Sequence, residues 1–67
     1  MDKTTARALN ESLAWILASV YHYKKRNLPR RKWRSTLAGE NVKRQNGGIP
    51  TGEFIDAWAY LEAEGLI

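Results

Sequence analysis

The sequence predicts an all-α protein, a compact domain of three helices spanning about 4–27, 30–45 and 52–64. Apolar residues recur at helical spacing in three segments, and proline or glycine interrupts the chain between them. At 67 residues the chain has room for one domain, residues 1–67, and a chain this short depends on a few large side chains for its stability.

The first helix, over residues 4–27, has an apolar stripe whose members are spaced three or four positions apart, and Leu17 widens it. Asp2, Thr4 and Thr5 are candidate N-caps. We expect the helix to end at Leu28-Pro29, because the residue before a proline is disfavoured in the helical region. The stripe consists of Ala6, Leu9, Leu13, Ile16, Val20 and Tyr23.

The second helix is predicted over residues 30–45, with Pro29 at its start, where a missing N–H costs nothing. Trp33 and Leu37 share its apolar face, with Ala38 and Val42 beside them. Gly39 leaves two possibilities open. The helix either continues through it or ends at Ala38 before a separate turn.

The third helix is predicted over residues 52–64. Asn46-Gly47-Gly48 is a stop signal before it, Thr51 is its expected N-cap, and Gly65 is expected to end it. We expect the chain end to fold back onto the helices. The apolar residues of this region are Phe54, Trp58 and Leu61, flanked by Ile55, and then Leu66 and Ile67.

The residue types favour binding over catalysis. The chain has no cysteine, which excludes disulfides, zinc–thiolate sites and thiol nucleophiles. Its one histidine, His22, lies between two tyrosines with no acid near it in sequence, as a surface histidine would. We therefore expect a non-enzymatic protein with no cofactor and no metal.

The apolar run at residues 13–20 is far shorter than the roughly 20 residues that a membrane-spanning helix needs. The charges before it are mixed, unlike those of a signal peptide. The sequence therefore predicts no membrane segment and a cytoplasmic location.

Charge is strongly segregated along the chain. Seven cations fall within residues 24–34; residues 21–46 carry a net charge of +8 and residues 51–67 a net charge of −4. Arg30, Arg31 and Lys32 would lie in the first turn of the second helix, where each cation is unfavourable by roughly 0.3–1 kcal/mol. This density is typical of a surface that binds phosphate or another polyanion.

The candidate anion-binding residues are Lys24, Lys25, Arg26, Arg30, Arg31, Lys32, Arg34, Lys43 and Arg44. Tyr23 and Trp33 flank the densest part and are candidates for stacking on a base or sugar, although Trp33 also suits the core.

Two other interpretations compete with an anion site. The basic helix ends could pair with acids on a solvated face of the third helix, although four acids cannot neutralise eight net positive charges. The first helix could instead form a protein interface or homodimer through Leu9, Leu13, Trp15 and Ile16. The acids in question are Glu53, Asp56, Glu62 and Glu64.

These observations lead to two functional hypotheses. The first is a small nucleic-acid-binding accessory or regulatory protein, of the kind that phages and mobile elements encode, which contacts the phosphate backbone through residues 24–34, with DNA favoured over RNA and the choice between them left open. The second is a protein interaction module, inhibitor or adaptor that dimerises through the first helix and binds an acidic protein surface.

Residues 49–67 end in Leu61-Glu62-Ala63-Glu64-Gly65-Leu66-Ile67 and resemble the recognition helix of bacterial winged-helix regulators. The resemblance implies a compact three-helix architecture, with a degenerate winged-helix core as one form of it, and places residues 51–56 nearest DNA. Two features depart from that family. Glu53 and Asp56 would be repelled by phosphate, and the β-hairpin wing has no counterpart in residues 1–67.

Overall fold

A computed structural model describes the backbone of residues 3–44 and 48–67 and the side chains of residues 10–44 and 48–67. Helix α1 spans Lys3–Lys25, a 3₁₀ turn covers Arg30–Lys32, α2 spans Trp33–Lys43 and α3 spans Thr51–Ala63. The described ranges contain no strand. The predicted all-α, three-helix fold is confirmed.

Helix α1 ends in a left-handed residue, Asn27, with φ of 60°. The N–H groups of Asn27 and Leu28 donate to the carbonyls of Lys24 and Tyr23 at 3.1 and 3.0 Å. This pair of bonds is a Schellman motif, in which asparagine takes the place that glycine usually fills. The motif ends α1 at Lys25, whereas the proline signal alone predicted an end near residue 27. At the other end, Thr4 and Thr5 lie inside the helix rather than capping it, and Asp2 lies outside the described residues.

The segment after Pro29 begins as a 3₁₀ turn instead of an α-helix. Pro29, with φ of −58° and ψ of 138°, precedes that turn instead of being its first helical residue. Helix α2 then runs through Gly39 without a break, so the continuous alternative is the correct one. It ends at Lys43, followed by Arg44 in an extended conformation. The predicted end at residue 45 and the stop at Asn46-Gly47 lie outside the described residues.

Helix α3 begins one residue earlier than predicted. Pro50 occupies its N-cap position and Thr51 is its first residue, so the expected capping by the Thr51 side chain is wrong. The C-terminal prediction is confirmed. Gly65 has φ of 72°, and the N–H groups of Gly65 and Leu66 donate to Glu62 and Leu61 in a second Schellman motif.

The predicted core is mostly confirmed, with three corrections. Val42 is 74 % exposed and Ile55 is 46 % exposed, so neither belongs to it. At the chain end Ile67 folds back and is buried, whereas Leu66 is exposed. The buried apolar residues are Ile16, Val20, Tyr23, Trp33, Leu37, Ile49, Phe54, Ala57, Trp58, Leu61 and Ile67.

Asn41 occupies the inward position of α2 next to Val42, and it explains why Val42 faces outward. Its side-chain amide donates to the Ile49 carbonyl, and its amide oxygen accepts the Ile49 N–H, both at 2.8 Å. The two bonds satisfy backbone groups that are buried where the chain returns from α2 towards α3. A polar side chain therefore closes this side of the core, which apolar spacing could not predict.

Two contacts define the direction of α3. The Ser12 hydroxyl donates to the Glu53 carboxylate, which joins the first half of α1 to the start of α3. The Arg30 guanidinium donates to the Ile67 carbonyl at 2.9 Å, which joins the turn after α1 to the segment after α3. Helices α1 and α3 therefore run in the same direction, and their C-terminal ends meet at one end of the domain.

Candidate nucleic-acid interface

The cations of residues 24–34 lie at that end of the domain, and we call this segment the basic corner. The Schellman motif after α1 and the 3₁₀ turn fold it tightly, so that cations separated by the turn come together. All seven are exposed: Lys24, Lys25, Arg26, Arg30, Arg31, Lys32 and Arg34.

The contacts of these cations are mainly with rings and carbonyls, not with acids. Arg30 donates to Ile67, and the Lys25 ammonium lies 4.9 Å from the centroid of the Tyr21 ring. Within the described part of the chain, no salt bridge joins a cation of the basic corner to a carboxylate. The pairing with acids of α3 that the sequence offered as an alternative does not occur among these residues. Their charge is therefore available to a partner.

The buried side chain of Trp33 contacts several groups of the basic corner. It is 6 % exposed, and its indole N–H donates to the Leu28 carbonyl at 2.8 Å. The Lys24 ammonium and the Arg30 guanidinium lie 5.7 and 5.8 Å from its ring centroid, within cation–π range. The buried Trp33 ring therefore contacts one cation from the end of α1 and one from the 3₁₀ turn.

Tyr23 is also internal, at 3 % exposure, and its hydroxyl donates to the Glu40 carboxylate at 2.8 Å. Burial raises the pKa of this phenol well above its usual range, the bond to Glu40 adds to that rise, and Arg26 opposes it. Burial leaves little of the Tyr23 and Trp33 rings exposed to a base, and their stacking on a base stays a prediction.

Three arginines of the corner line an open groove of about 490 Å³ against α3. Arg30, Arg31 and Arg34 lie along it, and Trp58 and Glu62 complete its lining. We call it the arginine groove. Arginine side chains offer forked donors that match phosphate oxygens, so a groove with three of them suits an anion.

The structure separates Lys43 and Arg44 from the basic corner. Lys43 is the last residue of α2, about 15 Å along the helix from Trp33, and Arg44 follows it. The Arg44 guanidinium lies over the Trp15 ring, 4.2 Å from its centroid. The nine candidate cations therefore form two groups instead of one continuous surface.

The interface expected on α1 is corrected in part. Ile16 is 0 % exposed and belongs to the core, so it cannot contact a partner. Leu13 and Trp15 are half-buried and pack against the core, and Trp15 is also covered by Arg44. The side chain of Leu9 lies outside the described residues.

The acids of α3 do not all lie on a solvated face, as the sequence suggested. Glu53 is half-buried and accepts the bond from Ser12, whereas Asp56, Glu62 and Glu64 are exposed. Glu62 lines the arginine groove.

Sequence analysis did not identify the role of Trp58 and Glu62 in the groove. Trp58 was assigned to the core, and Glu62 was grouped with the other acids. Their approach to Arg31 and Arg34 depends on how α3 packs against the segment before α2, and no local pattern in the sequence encodes that packing. The exposed ring of Tyr21 was also missed, although Lys25 lies four residues further along α1 and such residues are neighbours on a helix surface.

Two other kinds of site are absent from the described residues. They contain no group of three or more histidine, cysteine or acidic side chains placed to hold a metal ion. No helix among them has the length and apolar character needed to cross a bilayer.

Comparison with known proteins gives no family assignment. No protein-family model, curated protein or solved structure matches this chain. The interpretation of the basic corner therefore depends on its own residues and their geometry.

Proposed function

We propose that this protein is a small non-enzymatic accessory or regulatory protein that binds the phosphate backbone of nucleic acid through the basic corner. The observation that carries the proposal is the gathering of seven exposed cations at one end of the domain, with no salt bridge to any described acid. Surfaces of this kind attract polyanions and gain affinity by releasing counterions.

The aromatic residues favour a duplex over a single strand as the partner. Proteins that bind single strands stack bases on exposed rings, whereas Tyr23, next to the basic corner, and Trp33, within it, are buried. Tyr21 is exposed, but the Lys25 ammonium lies against its ring. A binding mode based on phosphate contacts therefore fits better than one based on stacking, and duplex DNA is the first partner to test.

The test is a salt titration of affinity for a 20-base-pair duplex of arbitrary sequence, measured by fluorescence anisotropy. We expect log Kd to rise linearly with log salt concentration, with a slope of about 0.9 for each phosphate contact. A slope near zero would contradict the proposal.

Charge-removing substitutions locate the contact. Arg31→Gln and Arg34→Gln are the best choices, because Arg30 also holds the chain end and its loss would disturb the fold. Each should reduce the slope by about one phosphate contact. Lys43→Gln is the matched control, since it removes the same charge at the other end of α2. An equal effect of all three variants would show that net charge, and not the basic corner, determines binding.

A protein partner is the second candidate, and exposed apolar side chains favour it. Val42 and Ile55 are 74 % and 46 % exposed, and Tyr60 and Leu66 are more than half exposed. Such residues contribute to protein interfaces when they form a continuous patch. A homodimer through these side chains would show concentration-dependent sedimentation that Val42→Ser reduces and that persists in salt concentrations that abolish DNA binding. An acidic protein bound through the corner would instead lose affinity with Arg31→Gln and with added salt.

A further inference from the structure

The arginine groove contains one feature that a plain anion site would lack, which is the carboxylate of Glu62. This side chain lines the same groove as Arg30, Arg31 and Arg34 and is exposed. It makes no salt bridge to any of them within the described residues. Its negative charge is therefore not neutralised by direct pairing.

Glu62 is also placed where the backbone of α3 contributes negative charge. It lies in the last turn of α3, at the negative end of the helix dipole, and that turn contains no basic residue. The end of α3 thus presents a carboxylate and a dipole of the same sign to the groove. Both oppose an anion that enters between the arginines.

We propose that the arginine groove holds a single phosphate group and that Glu62 limits its affinity by competing with that phosphate for the three arginines. The inference deepens the proposed function and rests on it for the biological source of the phosphate. With three arginines opposed by Glu62, the arginine groove binds an anion reversibly. It selects an anion whose oxygens match the forked donors of the arginines, because weaker contacts do not overcome the repulsion from Glu62.

The closest control is two residues away. Glu64 is exposed at the C-cap of the same helix and does not line the groove. Glu62→Gln and Glu64→Gln therefore change the net charge equally, and they differ in whether the lost carboxylate lies within the groove. Neither side chain makes a described hydrogen bond or ion pair, so both variants should fold, as circular dichroism would verify.

The experiment measures the affinity of the wild type and both variants for tripolyphosphate by calorimetry and for the 20-base-pair duplex by anisotropy. Glu62→Gln should bind tripolyphosphate about fivefold more tightly, the equivalent of about 1 kcal/mol, whereas Glu64→Gln should change affinity less than about twofold. Combining Glu62→Gln with Arg34→Gln should cancel most of the gain.

Each result has a distinct meaning. An equal gain in both variants would overturn the inference, because the effect would then come from net charge alone. No gain for Glu62→Gln would also overturn it, because Glu62 would then not limit the affinity. Absence of tripolyphosphate binding in all variants would also overturn it, while salt-dependent duplex binding would still support the proposed function. A gain on tripolyphosphate with no duplex binding would support the groove and reject nucleic acid as its partner.

Discussion

At the scale of single residues, a few buried polar groups determine how the helices fit together. Asn41 occupies a position in the core and hydrogen-bonds to both the N–H and the carbonyl of Ile49. Tyr23 buries a phenol whose hydroxyl reaches Glu40. Because a buried polar group is costly without its partner, these contacts hold the packing in one arrangement.

Tyr23 should make stability depend on pH in the alkaline range. Its pKa is raised in the folded protein, so folding favours the neutral phenol. The resulting stability is complete below the unfolded pKa of about 10 and is lost as the pH rises above it. We expect the free energy of unfolding, from urea denaturation between pH 9 and 11.5, to fall more steeply for the wild type than for Tyr23→Phe.

Tyr21→Phe is the control for this experiment, because Tyr21 is exposed and its ring lies outside the core. It should keep the wild-type pH dependence. Parallel curves for Tyr23→Phe and the wild type would show that Tyr23 does not cause the loss of stability.

At the scale of elements, the segments around each helix determine where it begins and ends. Asn27 and Gly65 end α1 and α3 with the same pair of backbone bonds. Gly48 has φ of 73°, and a Cβ placed there would lie 2.3 Å from both the backbone and the side-chain oxygen of Asn41. Gly39, in the middle of α2, has open space instead.

The two glycines should respond oppositely to the same substitution. Gly39→Ala should stabilise the protein by about 0.5–1 kcal/mol, because alanine loses less entropy in a helix and meets no neighbour. Gly48→Ala should destabilise it by about 2 kcal/mol or more, from the left-handed conformation and the clash with Asn41. Urea denaturation of both variants checks the signs, and a stabilising Gly48→Ala would contradict the described connection.

The sequence was sufficient to predict the three helices, since the apolar spacing around Leu37, Phe54 and Leu61 reflects their burial. It was not sufficient to decide whether Val42 and Ile55 are buried or exposed, because residues at the border of an apolar face turn inward or outward according to what packs beside them. It also missed that Pro29 would precede a 3₁₀ turn, because proline suits both positions.

The candidate site shows the same division. The sequence identified the cations of residues 24–34, because their number does not depend on folding. It did not predict that Lys43 lies apart from these cations or that Glu62 lies beside the arginines, because both facts follow from the directions of α2 and α3. The apolar spacing did predict that Tyr23 and Trp33 lie on inward faces, and both are buried.

At the scale of the whole molecule, positive charge is concentrated at one end. Side chains of the described ranges do not neutralise it by salt bridges, so the folded state includes repulsion among the cations of the basic corner. This repulsion destabilises the free protein, and a bound phosphate partner would relieve it. Stability and binding should therefore respond to salt in opposite directions.

We expect the free energy of unfolding to rise by roughly 1 kcal/mol between 10 and 300 mM sodium chloride, as screening shortens from about 30 Å to less than 10 Å. The rise should be smaller for the double variant Arg31→Gln/Arg34→Gln, which carries less repulsion. Urea denaturation at each salt concentration measures both. A rise of the same size in the two proteins would assign the effect to general salting-out instead of to the corner.

The contact between Arg30 and Ile67 has a practical consequence for any work on this protein. Because the Ile67 carbonyl lies against the basic corner, a purification tag or fluorophore joined after residue 67 would start at the edge of the surface being tested. A label joined before α1 would start about 35 Å away along the helix, at the far end of the domain. Labelling at the N-terminus therefore keeps the reporter away from the charge that it is meant to report on.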